Sequence, residues 1–510
     1  MAARTLCVGF DGTEASSELL KTLARMRPAG IVLFARNIVS VDTCRELVEC
    51  VRAVCEEDLP LLVAVDQEGG RVARLRRGAV EVPSAMALGA ADDERLCERV
   101  GLAIARDVRR AGANLNLAPV LDVVSNARNR VIGTRSFGDD PERVARLGLA
   151  LARGLERGGV IAAAKHFPGH GATADDSHLT LPTIDGDAAR LRARDLAPFA
   201  QAVERGIRAI MTAHVAVPAF EPDVRRPATT SCRVLTDLLR GELGFTGVCI
   251  TDCLEMQAIA GTVGSERGAV EALRAGADLL LVSHSPTLAL RIAHAVAGAV
   301  RDGTLSEARL HEAVARVDRL RASLRAMAPF PSEDLGAGRE AARRSLVLER
   351  GALPHWPAGT RAVVVSLGPA SLDGGAVEAR DHGPTLAEAL ERHDLRAEEI
   401  RIEAFPADRA LRRACDLVER GGPRTRVAVI VRRGLHQTLQ IDAARTLLTT
   451  YPDALLVVAR EPYDAVLVPE ARHVVCTFGD EPISFDALAG MLADGAQPEG
   501  RMPVSLAAVG

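Results

Sequence analysis

Apolar runs of strand length alternate with amphipathic segments through the first three hundred residues. Thr5–Phe10 precedes an amphipathic stretch near 14–27, Gly30–Phe34 one near 41–56, Leu61–Asp66 one near 92–111, and Asn114–Val120 one near 141–158. The pattern continues with Val160–Lys165 and 188–205, Arg208–His214 and 232–242, Gly247–Asp252 and 265–275, and Ala277–Ser283 and 286–302. Runs that are apolar at nearly every position suit strands buried on both faces, and apolar positions every three or four residues suit helices covering them. Eight such pairs predict an α/β fold with a TIM (β/α)8-like barrel. A doubly wound open sheet has fewer units and calls for a G-x-G-x-x-G turn after an early strand, which this sequence lacks.

After a helix near 306–326, Ala328-Pro329-Phe330-Pro331-Ser332-Glu333-Asp334 has linker composition. The alternation then resumes with strand-like Arg361–Leu367, Arg426–Arg432, Ala454–Ala459 and His473–Phe478, and helices near 384–393, 407–420, 437–450 and 484–494. The expected organisation is a barrel domain over 1–327, a linker over 328–339, and a smaller C-terminal α/β sandwich domain over 340–510 with a mostly parallel sheet.

Composition narrows the partners. The net charge is −4 with both signs interspersed, and aromatics make up 3% of 510 residues, which argues against a nucleic-acid surface and for a small-molecule partner. No apolar run is long enough for a membrane-spanning helix and no signal-peptide core follows Met1, so a cytoplasmic location is expected. Ten cysteines occur without a C-x-x-C pair, against both a disulfide framework and a structural zinc site. A reaction needing no metal or cofactor is expected. A second domain without chemistry of its own offers a surface for a homodimer.

Barrel enzymes carry their chemistry at the C-terminal ends of the strands. The polar residues follow that rule: Asp66, Lys165 with His166, His214 and Asp252 each end a predicted strand, and Arg135 lies on the loop after the fourth. The densest stretch begins at Lys165 and runs through His166, His170, Asp175, Asp176 and Ser177 to His178. It includes one of two lysines in the whole sequence. Asp66 can accept sugar hydroxyls and Arg74 can donate to another oxygen, while Gly69 and Gly70 let the backbone turn between them. Arg135 either offers its fork to a carbonyl or hydroxyl pair or braces its loop against Asp139 or Asp140. Asp252, fixed by its strand, suits a carboxylate nucleophile, and Glu255 suits the start of a helix.

Asp66–Arg74, Asn114–Val120, Val131–Phe137, Lys165–Gly171 with Asp176-Ser177-His178, Ile210–His214 and Gly244–Met256 together resemble glycoside hydrolase family 3, in its branch of bacterial β-N-acetylglucosaminidases of the cell-wall recycling type. The end of the chain, Gly479–Pro482 to Gly500–Val504, resembles the terminal part of the family's second domain. The resemblance implies a retaining exo-acting hydrolase with Asp252 as nucleophile and His178 as acid/base, supported by Asp176. It implies that Asp66, Arg74, Arg135, Lys165 and His166 hold the terminal sugar and its acetamido group. Cys253 departs from the branch, where a second Asp commonly follows the nucleophile. Other branches take a catalytic Glu from the second domain, for which Glu461 or Glu481 would be the candidates; Asp176 and His178 make it unnecessary. Two other readings stay open. One is phosphorolysis, since a histidine acid/base repels phosphate less than Glu does; the other is a non-catalytic sugar-binding or regulatory protein on the same barrel.

Overall fold

A computed structural model of the chain describes residues 1–173, 177, 179–326, 334–368, 385–403 and 407–509. Eight parallel strands close into a barrel: β1 (Leu6–Val8), β2 (Gly30–Leu33), β3 (Leu62–Val65), β4 (Leu115–Asn116), β5 (Ile161–Phe167), β6 (Ala209–Thr212), β7 (Val248–Cys253) and β8 (Leu279–Val282). Each strand pairs with its successor in the chain, and β8 returns to β1 with Leu6 opposite Leu280. The helices between them start where short polar side chains cap them: Ser40, Asp93 and Asp140 accept amide protons from Thr43, Leu96 and Glu142. Such a cap is worth about 1 kcal/mol over alanine.

Alternation along each strand divides the side chains between two cores. Leu62 and Ala64 of β3, Ile161 and Ala163 of β5, and Val248 and Ile250 of β7 fill the barrel interior. Val63, Val65, Ala162, Ala164 and Cys249 pack outward in the core shared with the helices. All ten cysteines are free thiols. Among the described residues no helix is long and apolar enough to cross a membrane.

The second unit is a six-stranded sheet in the order β9-β14-β13-β12-β10-β11, built from β9 (Val347–Arg350), β10 (Arg361–Leu367), β11 (Arg396–Ile402), β12 (Arg426–Val431), β13 (Leu455–Val458) and β14 (His473–Cys476). All pairs are parallel except β9 with β14. One face, with Val363, Val365 and Leu367, shares its core with Met86, Val120, Val131 and Ile132 of the barrel unit. Polar contacts reinforce the junction: Ser84 Oγ donates to the Phe478 carbonyl at 2.7 Å, and Arg433 donates to the Arg130 carbonyl at 3.0 Å. The end of the chain reaches the same loop, with Asp139 N–H donating to Pro503 O at 3.2 Å and Ser505 N–H to Asp139 Oδ2 at 2.6 Å.

Local differences from the sequence pattern have physical causes. The predicted fourth strand keeps a ladder only at Leu115–Asn116, because Pro119 has no N–H to donate; farther on the segment is tied to β5 through the Val120 and Lys165 bridge. The stretch 188–205 is two helices, Ala188–Ala193 and Ala197–Glu204, the second with proline at its start. β9 and β11 lie outside the predicted strands; β11, Arg-Ala-Glu-Glu-Ile-Arg-Ile, is a charged edge strand whose composition reads as loop.

Candidate active site

Strand alternation carries three titratable residues into one rim of the barrel. Continuing the inward series 62–64, 161–163 and 248–250 by one more step gives Asp66, Lys165 and Asp252 at the C-terminal ends of β3, β5 and β7. Lys165 is buried at 2% side-chain exposure, which demands carboxylate partners. Its Nζ lies 2.7 Å from Asp66 Oδ1 and 2.6 Å from Glu68 Oε1.

Glu68 arrives on a hairpin of Gln67–Gly69 paired with Val72–Ala73. Gly69 (φ +100°) and Gly70 (φ +54°) turn it, in a conformation side-chain-bearing residues rarely adopt. Asn116 fixes its base, accepting from Gln67 N–H and donating to Gln67 O, both at 2.9 Å. Glu68 also accepts two bonds from Arg135, Nε at 2.9 Å and Nη2 at 2.8 Å. Burial works against the Glu68 charge, but Arg135 and Lys165 outweigh it and hold the carboxyl far below the ordinary carboxylate range. The Arg135 fork is thus engaged with Glu68, not with Asp139 or Asp140.

The series continues through His166, whose Nε2 lies 3.4 Å from Arg135 Nη2 and whose Nδ1 lies 2.7 Å from Asp122 Oδ2. A guanidinium can only donate and a carboxylate only accept, so the ring carries its proton on Nδ1 and offers a lone pair at Nε2. Asp122 is fully buried; burial opposes its charge, and His166 overrides this and lowers its pKa. Asp122 Oδ1 further accepts the backbone N–H of His170 at 2.7 Å. Arg74 closes the other side, with Nη2 3.9 Å from Asp66 Oδ2 and its guanidinium 5.7 Å from the Phe34 ring centre. Asp66, Arg74, Arg135, Lys165 and His166 therefore belong to one connected group. It can hold a polyhydroxylated ligand by charge-assisted hydrogen bonds while its own members stay fixed.

Asp252 stands four strands round the barrel from Asp66. It is partly buried, and Oδ1 accepts the Cys253 N–H at 2.7 Å. The Cys253 carbonyl accepts from His214 Nε2 at 3.0 Å, so the histidine two residues past β6 fixes the backbone next to the carboxylate. Asp175, Asp176 and His178 lie outside the described residues. Ser177 between them is placed: its hydroxyl is 2.9 Å from Nε2 of His170, whose Nδ1 is 2.8 Å from the Thr173 hydroxyl.

Glu68, Asp122 and His170 were not among the expected site residues. Asp122 had a signal, a lone carboxylate inside Val120-Leu121-Asp122-Val123-Val124, since an acid in a buried apolar run needs a dedicated partner. Glu255 is not part of a helix: it sits in the turn before Gln257–Ala260 and accepts the His284 N–H at 2.8 Å.

The model of the glycosyl hydrolase family 3 N-terminal domain matches residues 6–320. A beta-hexosaminidase of Pseudomonas aeruginosa is 42% identical over 282 residues, 54% of this chain and 82% of that protein. Beta-hexosaminidase A of Pseudoalteromonas piscicida is 38% identical over 282 residues, and the match spans 47% of that longer protein. The solved structure of a family 3 beta-N-acetylglucosaminidase from Paenibacillus sp. FPU-7 superposes with a TM-score of 0.91 at 34% identity, over 99% of this chain and 98% of that one. With its barrel, its strand-end carboxylates and a family match over most of its length, the chain belongs to glycosyl hydrolase family 3.

Proposed function

We propose that this chain is a retaining, exo-acting β-N-acetylglucosaminidase that removes terminal N-acetylglucosamine from small cell-wall fragments of muropeptide or chitobiose type. The supporting observation is its likeness, over nearly its whole length, to the Paenibacillus family 3 beta-N-acetylglucosaminidase. Asp252 attacks the anomeric carbon and forms a glycosyl ester as the bond to the leaving oxygen breaks. His178, supported by Asp176, donates the proton that oxygen needs; the neutral imidazole then takes a proton from the water that hydrolyses the ester. Asp66, Arg74, Arg135, Lys165 and His166 hold the terminal sugar. A cytoplasmic location and a homodimer go with this reading, and fractionation and light scattering test them.

A fluorinated mechanism-based N-acetylglucosaminide is expected to label the peptide containing Asp252, and Asp252→Asn to abolish both labelling and release from an aryl N-acetyl-β-glucosaminide. Labelling elsewhere, or release undiminished in the variant, overturns the assignment. In phosphate buffer the product is expected to be free sugar; a sugar 1-phosphate identifies phosphorolysis instead.

A further inference from the structure

Beside the Asp252 carboxylate lies a group of side chains that the hydrolytic chemistry does not use. Cys253 ends β7, Glu255 follows it in the turn, and His284 lies just past β8, the neighbouring strand. Cys253 Sγ is 3.6 Å and His284 Nδ1 3.2 Å from Glu255 Oε2, and the three ligand atoms all lie within 4.8 Å of one another. We propose that Cys253, Glu255 and His284 form a binding site for a thiophilic divalent cation, with zinc the ion they fit.

Metal–ligand lengths of about 2.3 Å to sulfur and about 2.1 Å to nitrogen or oxygen place tetrahedral ligands about 3.6 Å apart for sulfur with oxygen and about 3.4 Å for nitrogen with oxygen. The observed 3.6 Å matches the sulfur–oxygen edge, and the observed 3.2 Å falls about 0.2 Å short of the nitrogen–oxygen edge. One thiolate, one imidazole and one carboxylate suit zinc, whereas magnesium and calcium prefer oxygen alone. Three protein ligands leave the fourth position to water.

The surroundings support the assignment. His284 has 59% of its side chain exposed, which gives an ion a way in, while Cys253 is buried and Glu255 has 16% of its side chain exposed. The His284 ring stacks on Phe34 at 5.9 Å between centres and 22° between planes, so its orientation is held from outside the ligand set. The imidazole carries its proton on Nε2 when Nδ1 binds the ion.

Zinc titration of the full, tag-free chain followed by metal analysis is expected to give one ion per chain. Cobalt(II) in its place is expected to show a near-ultraviolet thiolate-to-cobalt charge-transfer band. Cys253→Ser should remove the band, and His284→Ala, at a mostly exposed side chain that can change without unfolding the barrel, should weaken binding by about 100-fold or more. Absence of a stoichiometric ion, absence of the band in the unaltered chain, or a band and affinity unchanged in both variants overturns the proposal. These readouts do not depend on glycosidase activity.

Discussion

Glu68 accepts both prongs of the Arg135 guanidinium, at 2.9 and 2.8 Å, inside a barrel mouth where neither side chain is more than 9% exposed. Removing one partner of a buried pair leaves the other charge uncompensated, at about 3–5 kcal/mol. Glu68→Gln is therefore expected to lower the unfolding free energy by that order, measured by urea denaturation. Because Lys165 and Arg135 both lose an anchor, KM for the sugar should rise as well. A variant as stable and as active as the parent removes Glu68 from the site's framework.

His170 and Ser177 make the second prediction. The 2.9 Å contact between them holds the middle of Asp176-Ser177-His178 against the barrel. Ser177→Ala is expected to lower kcat by about tenfold while leaving KM within a factor of two, since a misplaced acid/base weakens proton transfer more than sugar binding. An unchanged kcat and acid limb of the pH profile counts against this tether.

The same histidine sets a pH dependence of stability. Burial lowers the His170 pKa to about 4, against an opposing pull from Asp122. Between about pH 6.5 and pH 4 the unfolded chain binds a proton at this position and the folded one does not, so stability falls as the pH drops through that window. The loss amounts to about 3 kcal/mol, absent above about pH 6.5 and complete below about pH 4. His170→Asn should be destabilised at pH 7 yet show a shallower decline between pH 6.5 and 4. Parallel curves for the two proteins refute the assignment.

Glu461 is buried on the second sheet's side of the junction, where Arg433 Nη2 lies 3.3 Å from its Oε1. Burial raises its pKa, and Arg433 and Arg460 more than reverse this. A carboxyl held ionised cannot serve as a general acid at neutral pH. Glu461→Gln should lower the midpoint of thermal unfolding while reducing kcat by less than the ~10²-fold that loss of a general acid costs. A larger drop would move the acid/base role to the second domain. Gly133 tests the junction from the other side: its φ is +44°, and a Cβ there would lie 2.3 Å from Glu461 Oε1, so Gly133→Ala should destabilise the chain.

The barrel was legible because its strands are apolar at nearly every position and its covering helices are strongly amphipathic. The rim residues Asp66, Lys165 and Asp252 followed from the same parity. Partnership was harder to read. Glu68 was not legible as a site residue because its partners, Arg135 and Lys165, lie 67 and 97 positions away along the chain. Asp122 sits in a stretch whose hydrophobicity hid it. Cys253, Glu255 and His284 have no metal-binding spacing along the chain, since β7 and β8 bring them together only when the barrel closes. β11 escaped notice because an edge strand tolerates charge at positions an inner strand must fill with apolar side chains.

The near absence of lysine has a practical consequence. Lys165 is sealed between two carboxylates, so lysine-directed reagents meet Lys21, exposed on the first helix. Conjugation or immobilisation through lysine therefore grips the outside of the first βα unit and spares the pocket. Modification of Lys165 itself becomes a report on whether the barrel mouth has opened.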